Sequence, residues 1–222
     1  MTDDELRAHG TAFGALADFE IRAARERHDG HPFRLRIDPF VGGQCKELGD
    51  GSGRDAISYG LGPYGYDIRL GSQFRSLLPG DEPIDPFKPE AIWGPQWSSD
   101  PGEPVTIPPH GVLLAESVET IRVPEDVTVL VLCKSTWARC FLNLNTTPLE
   151  AGWAGTVTLE LANMAPRPLV VYPGHGVGQL QFFRGRPCEV PYNRRPGGGT
   201  YQDQTGPTPP KRARSRRPPS IG

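Results

Sequence analysis

The hydrophobic and polar positions alternate along most of the second half of the chain. From Gly111 onward, five short runs place apolar residues at every second position, with Pro, Gly or Asn between the runs. They are GVLLAESVETIRV, VTVLVLCKS, GTVTLELAN, PLVVYPG and GVGQLQFFRG. A period of two is the pattern of strands with one buried face. Short strands at regular spacing predict a β-sandwich, jelly roll or barrel rather than a βαβ protein.

The first half of the chain has a different pattern. Residues 1–30 predict a short helix, because Thr2 and Glu5 have the spacing of a capping box. Its partial apolar face would consist of Leu6, Phe13, Leu16 and Phe19. Strands are expected at RLRID and at GYDIRLG, after the turn-rich SYGLGPYG, whereas residues 79–110 are rich in proline and predict a long loop that carries function or packs across a sheet.

These patterns divide the 222 residues into one domain with appendages. A helical extension covers 1–30 and a β domain covers 31–190. Residues 191–206 form a Gly-rich arm expected to order over a ligand, and residues 207–222 a disordered basic tail. The 27 glycines and 25 prolines are close to a quarter of the chain, which fits a turn-rich β protein with disordered ends.

Charge and cysteine content exclude several classes of function. The net charge is −2, and without the five cations of the tail KRARSRRPPSIG it becomes −7. An acidic body argues against nucleic-acid binding. No apolar run is long enough for a membrane span, and the acidic start does not resemble a signal peptide. Four cysteines without C-x-x-C spacing predict reduced, partly buried thiols in a cytoplasmic protein. They are Cys45, Cys133, Cys140 and Cys188.

Familiar catalytic motifs are absent. The five histidines are scattered, none lies in H-x-E or H-E-x-x-H, and the zinc-deaminase signature is missing, so no protein metal site is predicted. A P-loop and a G-x-S-x-G elbow are missing as well.

Two local features nevertheless suggest chemistry. The segment KSTWAR brings Lys134, Ser135, Thr136 and Arg139 within six residues. This set suits a polyphosphate, although a solvated turn with capping hydroxyls explains it equally simply. In GTVTLELAN, Glu160 lies on the face opposite Val157, Leu159 and Leu161, where an ordinary solvent-facing Glu is the more frequent outcome.

Four segments together resemble the dCTP deaminase family, which shares its fold with the homotrimeric dUTPases. They are residues 57–74 (ISYGLGPYGYDIRLGSQF), 133–163 (CKSTWARCFLNLNTTPLEAGWAGTVTLELAN), 176–183 (GVGQLQFF) and 201–206 (YQDQTG). The resemblance covers roughly residues 30–206. It implies a mainly β fold, a distorted jelly roll of the β-clip type with a short N-terminal helix. It also implies a homotrimer whose active sites lie between subunits.

The resemblance implies a zinc-independent deamination of dCTP to dUTP and ammonia. Glu160 matches the general base, which with a pKa of about 4.3 would be ionised at neutral pH. It would take a proton from the water that attacks cytosine C4, then protonate N3 and the departing amine. Ser135 would hold the water with a carbonyl near Thr147 or Pro148, and Arg139 would orient Glu160 and the water and stabilise charge on the pyrimidine.

Other matching positions imply substrate binding. Lys134, Thr136, Tyr192 and Gln204 match triphosphate contacts, Gln179 lies in the pocket, and Glu150 and Trp153 frame the deoxyribose. The remaining binding positions implied are Trp137, Ala138, Thr158 and Leu159. Mg²⁺ would enter with the triphosphate, held by phosphate oxygens and water, and dTTP is implied as an inhibitor.

Three positions depart from the family pattern. Cys133 replaces a Gly, Asn143 a hydrophobic residue, and Thr200 a Lys that often contacts phosphate. A bifunctional enzyme that also cleaves dUTP to dUMP remains the nearest alternative. A plain dUTPase is disfavoured because TPLEAGW replaces G-x-I-D-x-x-Y. A non-catalytic trimer that binds dNTPs is the alternative of another class.

Overall fold

The structure is a computed structural model that describes residues 13–89, 92–100 and 102–211. Within these residues the backbone forms thirteen strands, two α-helices and a 3₁₀ turn in the C-terminal arm. The strands are β1 (Gly14–Ala15), β2 (Arg36–Asp38), β3 (Cys45–Glu47), β4 (Asp55–Gly62), β5 (Gly65–Leu77), β6 (Trp93–Ser98), β7 (Val105–Ile107), β8 (Val112–Arg122), β9 (Val127–Cys133), β10 (Leu142–Asn145), β11 (Ala154–Asn163), β12 (Leu169–Val171) and β13 (Gly176–Arg184). The helices are α1 (Asp18–Glu26) and α2 (Ser135–Ala138), and the 3₁₀ turn is Tyr192–Arg194.

Eleven of these strands form one curled antiparallel sheet, and β7 pairs separately with β12. Strand β5 is long enough to pair with β4, β6, β8 and β13 along its length. Strand β8 pairs with β2, β5 and β11, and β11 pairs in turn with β10. The predicted mainly β fold with a short N-terminal helix is confirmed.

The segment predicted as turn-rich is a tight hairpin. Strands β4 and β5 pair as far as Gly62 and Gly65, which leaves only Pro63 and Tyr64 in the turn. Gly65 has a φ of +141°, and a Cβ there would lie 2.4 Å from the carbonyl oxygen of Leu180. Glycine is therefore required where the hairpin passes under β13.

The loop predicted for residues 79–110 contains two strands, so that prediction was wrong in part. Strand β6 pairs only with β5, and at such an edge Pro95 removes no hydrogen bond of the sheet interior. Trp97 stacks on buried Phe74 with ring centroids 4.9 Å apart. These packing contacts override the local preference of a Pro-rich segment for irregular structure.

The predicted apolar face of the N-terminal helix was also wrong. Helix α1 buries Ile21 and Ala24, whereas Phe19 is 67% exposed. Phe13 precedes the helix and is exposed. Leu16 also precedes the helix, where its side chain is buried in the core and its backbone N–H bonds to Phe182 O at 2.9 Å, beside the pairing of β1 with β13. The predicted positions Thr2, Glu5 and Leu6 lie outside the described residues.

Strand β11 has the alternation that the sequence predicts. Val157, Leu159 and Leu161 are almost fully buried in the core, and the side chains between them point to the opposite face. Burying each such side chain contributes about 1.5–3 kcal/mol, so the strand is held firmly in register. Glu160 therefore projects from a fixed backbone.

No helix in the described ranges is long and apolar enough to cross a membrane. The four cysteines are free thiols. Cys45 and Cys133 are partly buried as predicted, whereas Cys140 and Cys188 are exposed.

Candidate active site

A cleft of about 550 Å³ opens beside strand β11. Its walls come from three stretches of the chain: residues 146–150 with Trp153, the β11 residues Val157, Thr158 and Glu160, and residues of the C-terminal arm between Tyr192 and Pro210. Trp93 and Leu114 complete the lining. Of the predicted site residues, the cleft brings together Glu150, Trp153, Thr158, Glu160, Tyr192 and Gln204.

Among the titratable residues that line the cleft, Glu160 is the one whose pKa is shifted. Its Oε2 atom is inaccessible to solvent and has no hydrogen-bond partner among the described residues. Burial disfavours the charged carboxylate and raises the pKa of Glu160 to about 7. In the single chain the pKa therefore lies above the ordinary value expected from the sequence, and the alternative of a freely solvated side chain was wrong. Near neutral pH this group both accepts and donates a proton readily.

The arm is fastened to β11 at Thr156 and Thr158. Thr156 N donates to Gln204 O at 3.0 Å, and the Gln204 side-chain amide donates to Thr156 O at 3.0 Å and to Thr158 Oγ1 at 3.2 Å. Thr158 Oγ1 also accepts a bond from the backbone N–H of Thr208. A Cβ at Gly155 would lie 2.7 Å from Gln204 O, so glycine allows this close approach.

The arm extends past residue 206, where the sequence predicted that it ends. Arg75 Nε donates to Pro207 O at 3.0 Å, and Lys211 N donates to the Tyr201 hydroxyl at 3.2 Å. Glu116, directly opposite Thr158 on β8, accepts a hydrogen bond from the backbone N–H of Gly206. Residues 207–211 are thus packed against the domain, and the rest of the predicted tail lies outside the described residues.

Aromatic residues shape the Gly-rich part of the arm. The Tyr192 hydroxyl accepts a bond from Tyr201 N at 2.9 Å, and a Cβ at Gly199 would collide with the Tyr192 ring at 1.9 Å. Trp153 is buried, and its indole N–H donates to Tyr201 O at 2.9 Å. The glycine at 199 therefore allows the arm to pass over Tyr192.

Glu150 faces the cleft as predicted, but it is paired. Arg195 bonds to both of its carboxylate oxygens, one of them at 3.3 Å, and lies 5.0 Å over the Tyr192 ring. The sequence did not single out Arg195. The signal available was a cation three residues after Tyr192, but nothing local distinguished it from the neighbouring Arg194.

The KSTWAR segment contains helix α2 and lies outside the cleft. None of residues 134–139 lines the cleft that contains Glu160. Ser135, Thr136, Ala138 and Arg139 are exposed, and Arg139 Nη1 donates to Ser135 O at 3.1 Å. Trp137 is buried, with its indole N–H bonded to Gly176 O at 2.8 Å. A single chain thus presents two halves of the predicted site on separate surfaces.

Lys134 and Gln179 belong to a buried polar cluster around Asp67. The Asp67 carboxylate accepts hydrogen bonds from the Lys134 ammonium, from Gln179 at 3.2 Å and from Gln44 at 3.1 Å. Lys134 also bonds to Ser58 at 3.3 Å, and its side chain is only 12% exposed. In this chain Lys134 is held by Asp67, which the sequence analysis missed although an acid within the apolar strand GYDIRLG was a visible signal.

Leu159 has its side chain in the core and is fully buried. Only its backbone is left to contact a substrate. No group of three or more His, Cys, Asp or Glu side chains positioned to hold a metal ion occurs in the described ranges.

Comparisons with known proteins agree on one family. The family model described as dCTP deaminase-like matches residues 35–185. A dCTP deaminase of Thiobacillus denitrificans is 40% identical over 176 residues, which is 79% of this chain and 90% of that protein. One from Stenotrophomonas maltophilia is 39% identical over 198 residues, or 88% and 97% of the two chains.

A solved structure supports the fold. The crystal structure of 2′-deoxycytidine 5′-triphosphate deaminase from Agrobacterium tumefaciens matches with a TM-score of 0.54 and 20% identity. The match covers 79% of this chain and 48% of that one, so this chain spans about half the length of that protein.

Proposed function

The chain belongs to the dCTP deaminase-like family, and from this premise we propose that it deaminates dCTP to dUTP and ammonia. The observation that carries the proposal is Glu160, a carboxyl group with a pKa raised to about 7 on the wall of a nucleotide-sized cleft. An acid–base group is most effective when its pKa is near the working pH.

The reaction requires one group to move protons between three atoms. Ionised Glu160 takes a proton from water, and the resulting hydroxide adds to C4 of the pyrimidine while Glu160 returns the proton to N3. The proton of the new C4 hydroxyl then passes through Glu160 to the amine, and the C4–N bond breaks to release ammonia as the C4 carbonyl forms. Proton transfers of this kind are worth about 10²–10⁴ in rate.

The proposed substrate contacts divide between the two halves of the site. Glu150 and Trp153 frame the sugar, Thr158 and the backbone of Leu159 line the base, and Tyr192 and Gln204 hold the arm near the triphosphate. Ser135 and Arg139 position water and stabilise charge, with Lys134, Thr136, Trp137 and Ala138 in the same turn and Gln179 in the adjoining cluster. Lys134 is bound to Asp67. To contact the phosphates, its ammonium must either leave Asp67 or bond to Asp67 and a phosphate oxygen together.

We propose that the two halves meet between subunits of a homotrimer. The support is that α2 is exposed and does not line the Glu160 cleft of its own chain. Arg139 of a neighbouring subunit would then face Glu160, orient it and the water, and stabilise charge on the pyrimidine. In a homo-oligomer with closed symmetry, each interface can combine residues of two identical subunits, so one sequence supplies both halves of the site.

Mg²⁺ is proposed to enter as part of the nucleotide substrate. Its ligands are then phosphate oxygens and water, the coordination that Mg²⁺ prefers when it binds nucleotides. We place the reaction in the cytoplasm, where dUTP feeds dUMP and thymidylate synthesis, and we propose dTTP as an inhibitor.

The test is to incubate the purified protein with dCTP and Mg²⁺ and to follow ammonia, dUTP, dUMP and pyrophosphate together. Ammonia and accumulating dUTP in equal amounts are expected. Release of pyrophosphate with dUMP would indicate the bifunctional alternative. A protein that binds dCTP and releases no ammonia would contradict the proposal. Addition of dTTP to the same assay tests inhibition.

A further inference from the structure

The cleft has a charge balance that does not suit a triphosphate. Its lining contains the carboxylates of Glu150 and Glu160, and among the described lining residues the only cationic side chain is Arg195. A magnesium nucleoside triphosphate brings further negative charge, and buried or half-buried anions require cations or N–H donors. Position 200, also on the lining, is an uncharged Thr.

Arg195 is held in a way that makes it available. Its guanidinium forms a forked pair with Glu150 and lies over Tyr192. The side chains of Arg195 and Glu150 are 47% and 44% exposed. Ion pairs of such exposure contribute little to stability, so exchange of Glu150 for a stronger bidentate anion is easy. Phosphate is the anion whose geometry a guanidinium fork matches.

The nearby cations of this chain are engaged elsewhere. Arg194, the residue before, turns away from the cleft and bonds Glu125 at 2.7 Å. Arg75 donates to the backbone oxygens of Pro207 and Gly94. Lys134 is bound to buried Asp67. The Lys211 ammonium lies 5.6 Å over the Tyr201 ring, at the rim rather than on the lining. Arg195 is therefore the cation that lines the cleft within the described part of the chain.

We propose that Arg195 exchanges its partner Glu150 for the phosphates of the nucleotide and thereby couples phosphate binding to recognition of the sugar. In the structure the Arg195 guanidinium is paired with the Glu150 carboxylate. When phosphate recruits Arg195, that carboxylate becomes a free acceptor for a donor such as the sugar hydroxyl. The proposal rests on the proposed function, because it takes dCTP as the ligand of the cleft.

The exchange makes opposite predictions for two substitutions. Arg195→Ala removes charge-assisted hydrogen bonds and is expected to weaken binding of magnesium dCTP by about 10–100-fold. Glu150→Gln releases Arg195 and is expected to tighten binding of inorganic tripolyphosphate, by up to about fivefold for an exposed pair. A merely structural role of the ion pair would weaken both ligands in both variants.

Binding is measured by calorimetry in a Glu160→Gln background, which prevents turnover, and KM and kcat are measured with Glu160 present. Arg195→Ala is expected to raise KM with little change in kcat. Arg194→Ala is the matched control, since its side chain faces Glu125, and should bind as the parent does. Thr200→Lys in the Arg195→Ala background returns a cation to the lining and is expected to recover at least part of the affinity.

Three results would overturn the inference. They are unchanged dCTP affinity in Arg195→Ala, equal losses in Arg194→Ala and Arg195→Ala, or tripolyphosphate binding that Glu150→Gln leaves the same or weakens. Thermal unfolding of each variant identifies misfolded protein, and Arg195→Lys, which keeps the charge, replaces Arg195→Ala if the latter fails to fold. The binding assay does not need catalysis, so a protein that binds dCTP without releasing ammonia contradicts the proposed function alone. Absence of dCTP binding in the parent contradicts both.

Discussion

The side-chain amide of Gln204 donates a hydrogen bond to the hydroxyl of Thr158, 3.2 Å away, one outward-facing position before Glu160 on β11. The same amide also bonds to Thr156 O, so a single arm residue bridges two positions of the strand that carries the proposed base. The C-terminal arm is therefore placed beside Glu160 by direct contact with its strand.

Gln204→Ala is expected to loosen the arm and to raise the KM for dCTP about tenfold, because two hydrogen bonds near the cleft are lost at roughly 0.5–1.5 kcal/mol each. The measurement is steady-state kinetics of ammonia release. Gln202→Ala is the matched control, since the side-chain amide of Gln202 donates to the neighbouring Asp203 carboxylate rather than to β11. A variant at 204 with an unchanged KM would show that the arm does not act through this contact.

Glu160→Gln is expected to lower kcat by at least about 10²–10⁴, because the amide cannot take a proton from water. Binding of dCTP should persist, since the side chain keeps its size. Ammonia release and calorimetry test the two parts separately. Glu103→Gln, at an exposed position, is the control. A Glu160→Gln protein that still turns over dCTP at the parental rate would refute the assigned role.

The raised pKa of Glu160 predicts how stability depends on pH. The group has a usual pKa of 4.5 in the unfolded chain and about 7 in the folded chain, so the folded state holds its proton more tightly. The contribution of Glu160 is present below pH 4.5 and is lost as the pH rises through 7. Relative to the parent, Glu160→Gln should gain up to about 3 kcal/mol of unfolding free energy between pH 4 and pH 9.

Chemical denaturation at several pH values measures this difference. A neighbouring Arg139 in an oligomer would reduce the gain, because a cation stabilises the carboxylate. A difference that grows in the opposite direction would mean that the pKa of Glu160 is lowered rather than raised by folding.

Mixed oligomers test the composite site. Arg139→Ala and Glu160→Gln are each expected to be inactive alone. In a randomly assembled one-to-one mixture of trimers, about a quarter of the sites would pair an intact Glu160 with an intact Arg139 from the neighbouring chain. Activity after joint refolding should therefore return to about a quarter of the parental value. No recovery would mean that both groups act within one chain.

The buried pair of Lys134 and Asp67 predicts a large effect on stability. Asp67→Asn leaves a mostly buried ammonium without its counter-charge, and such changes cost about 3–5 kcal/mol. Arg36→Gln, which breaks an exposed pair with Asp38, should change stability by less than about 1 kcal/mol. Urea unfolding compares the two. Equal effects would show that the Asp67 cluster is far better hydrated than its burial indicates.

The sequence predicted the elements whose signal is local. Alternation in GTVTLELAN correctly placed Leu159 and Leu161 in the core and Glu160 on the other face. The same alternation was uninformative about solvation, because the cleft that Glu160 lines is completed by the C-terminal arm, which is distant in the sequence.

Other features depended on distant contacts in the same way. Strand β6 was missed because its pairing with β5 and the stacking of Trp97 on Phe74 outweigh its prolines. Pairing of Arg195 with Glu150 joins residues 45 positions apart. The family resemblance supplied the roles of Ser135 and Arg139, but only the fold shows that they lie away from Glu160 on one chain.

The bond from Lys211 N to the Tyr201 hydroxyl has a practical consequence. Tyr201 and Pro210 both line the cleft, so Lys211 lies at its rim. A fluorescent label on the Lys211 side chain would therefore be within reach of the entering nucleotide. Labelling for assays is better done at exposed Cys188, after Cys140 beside α2 is replaced.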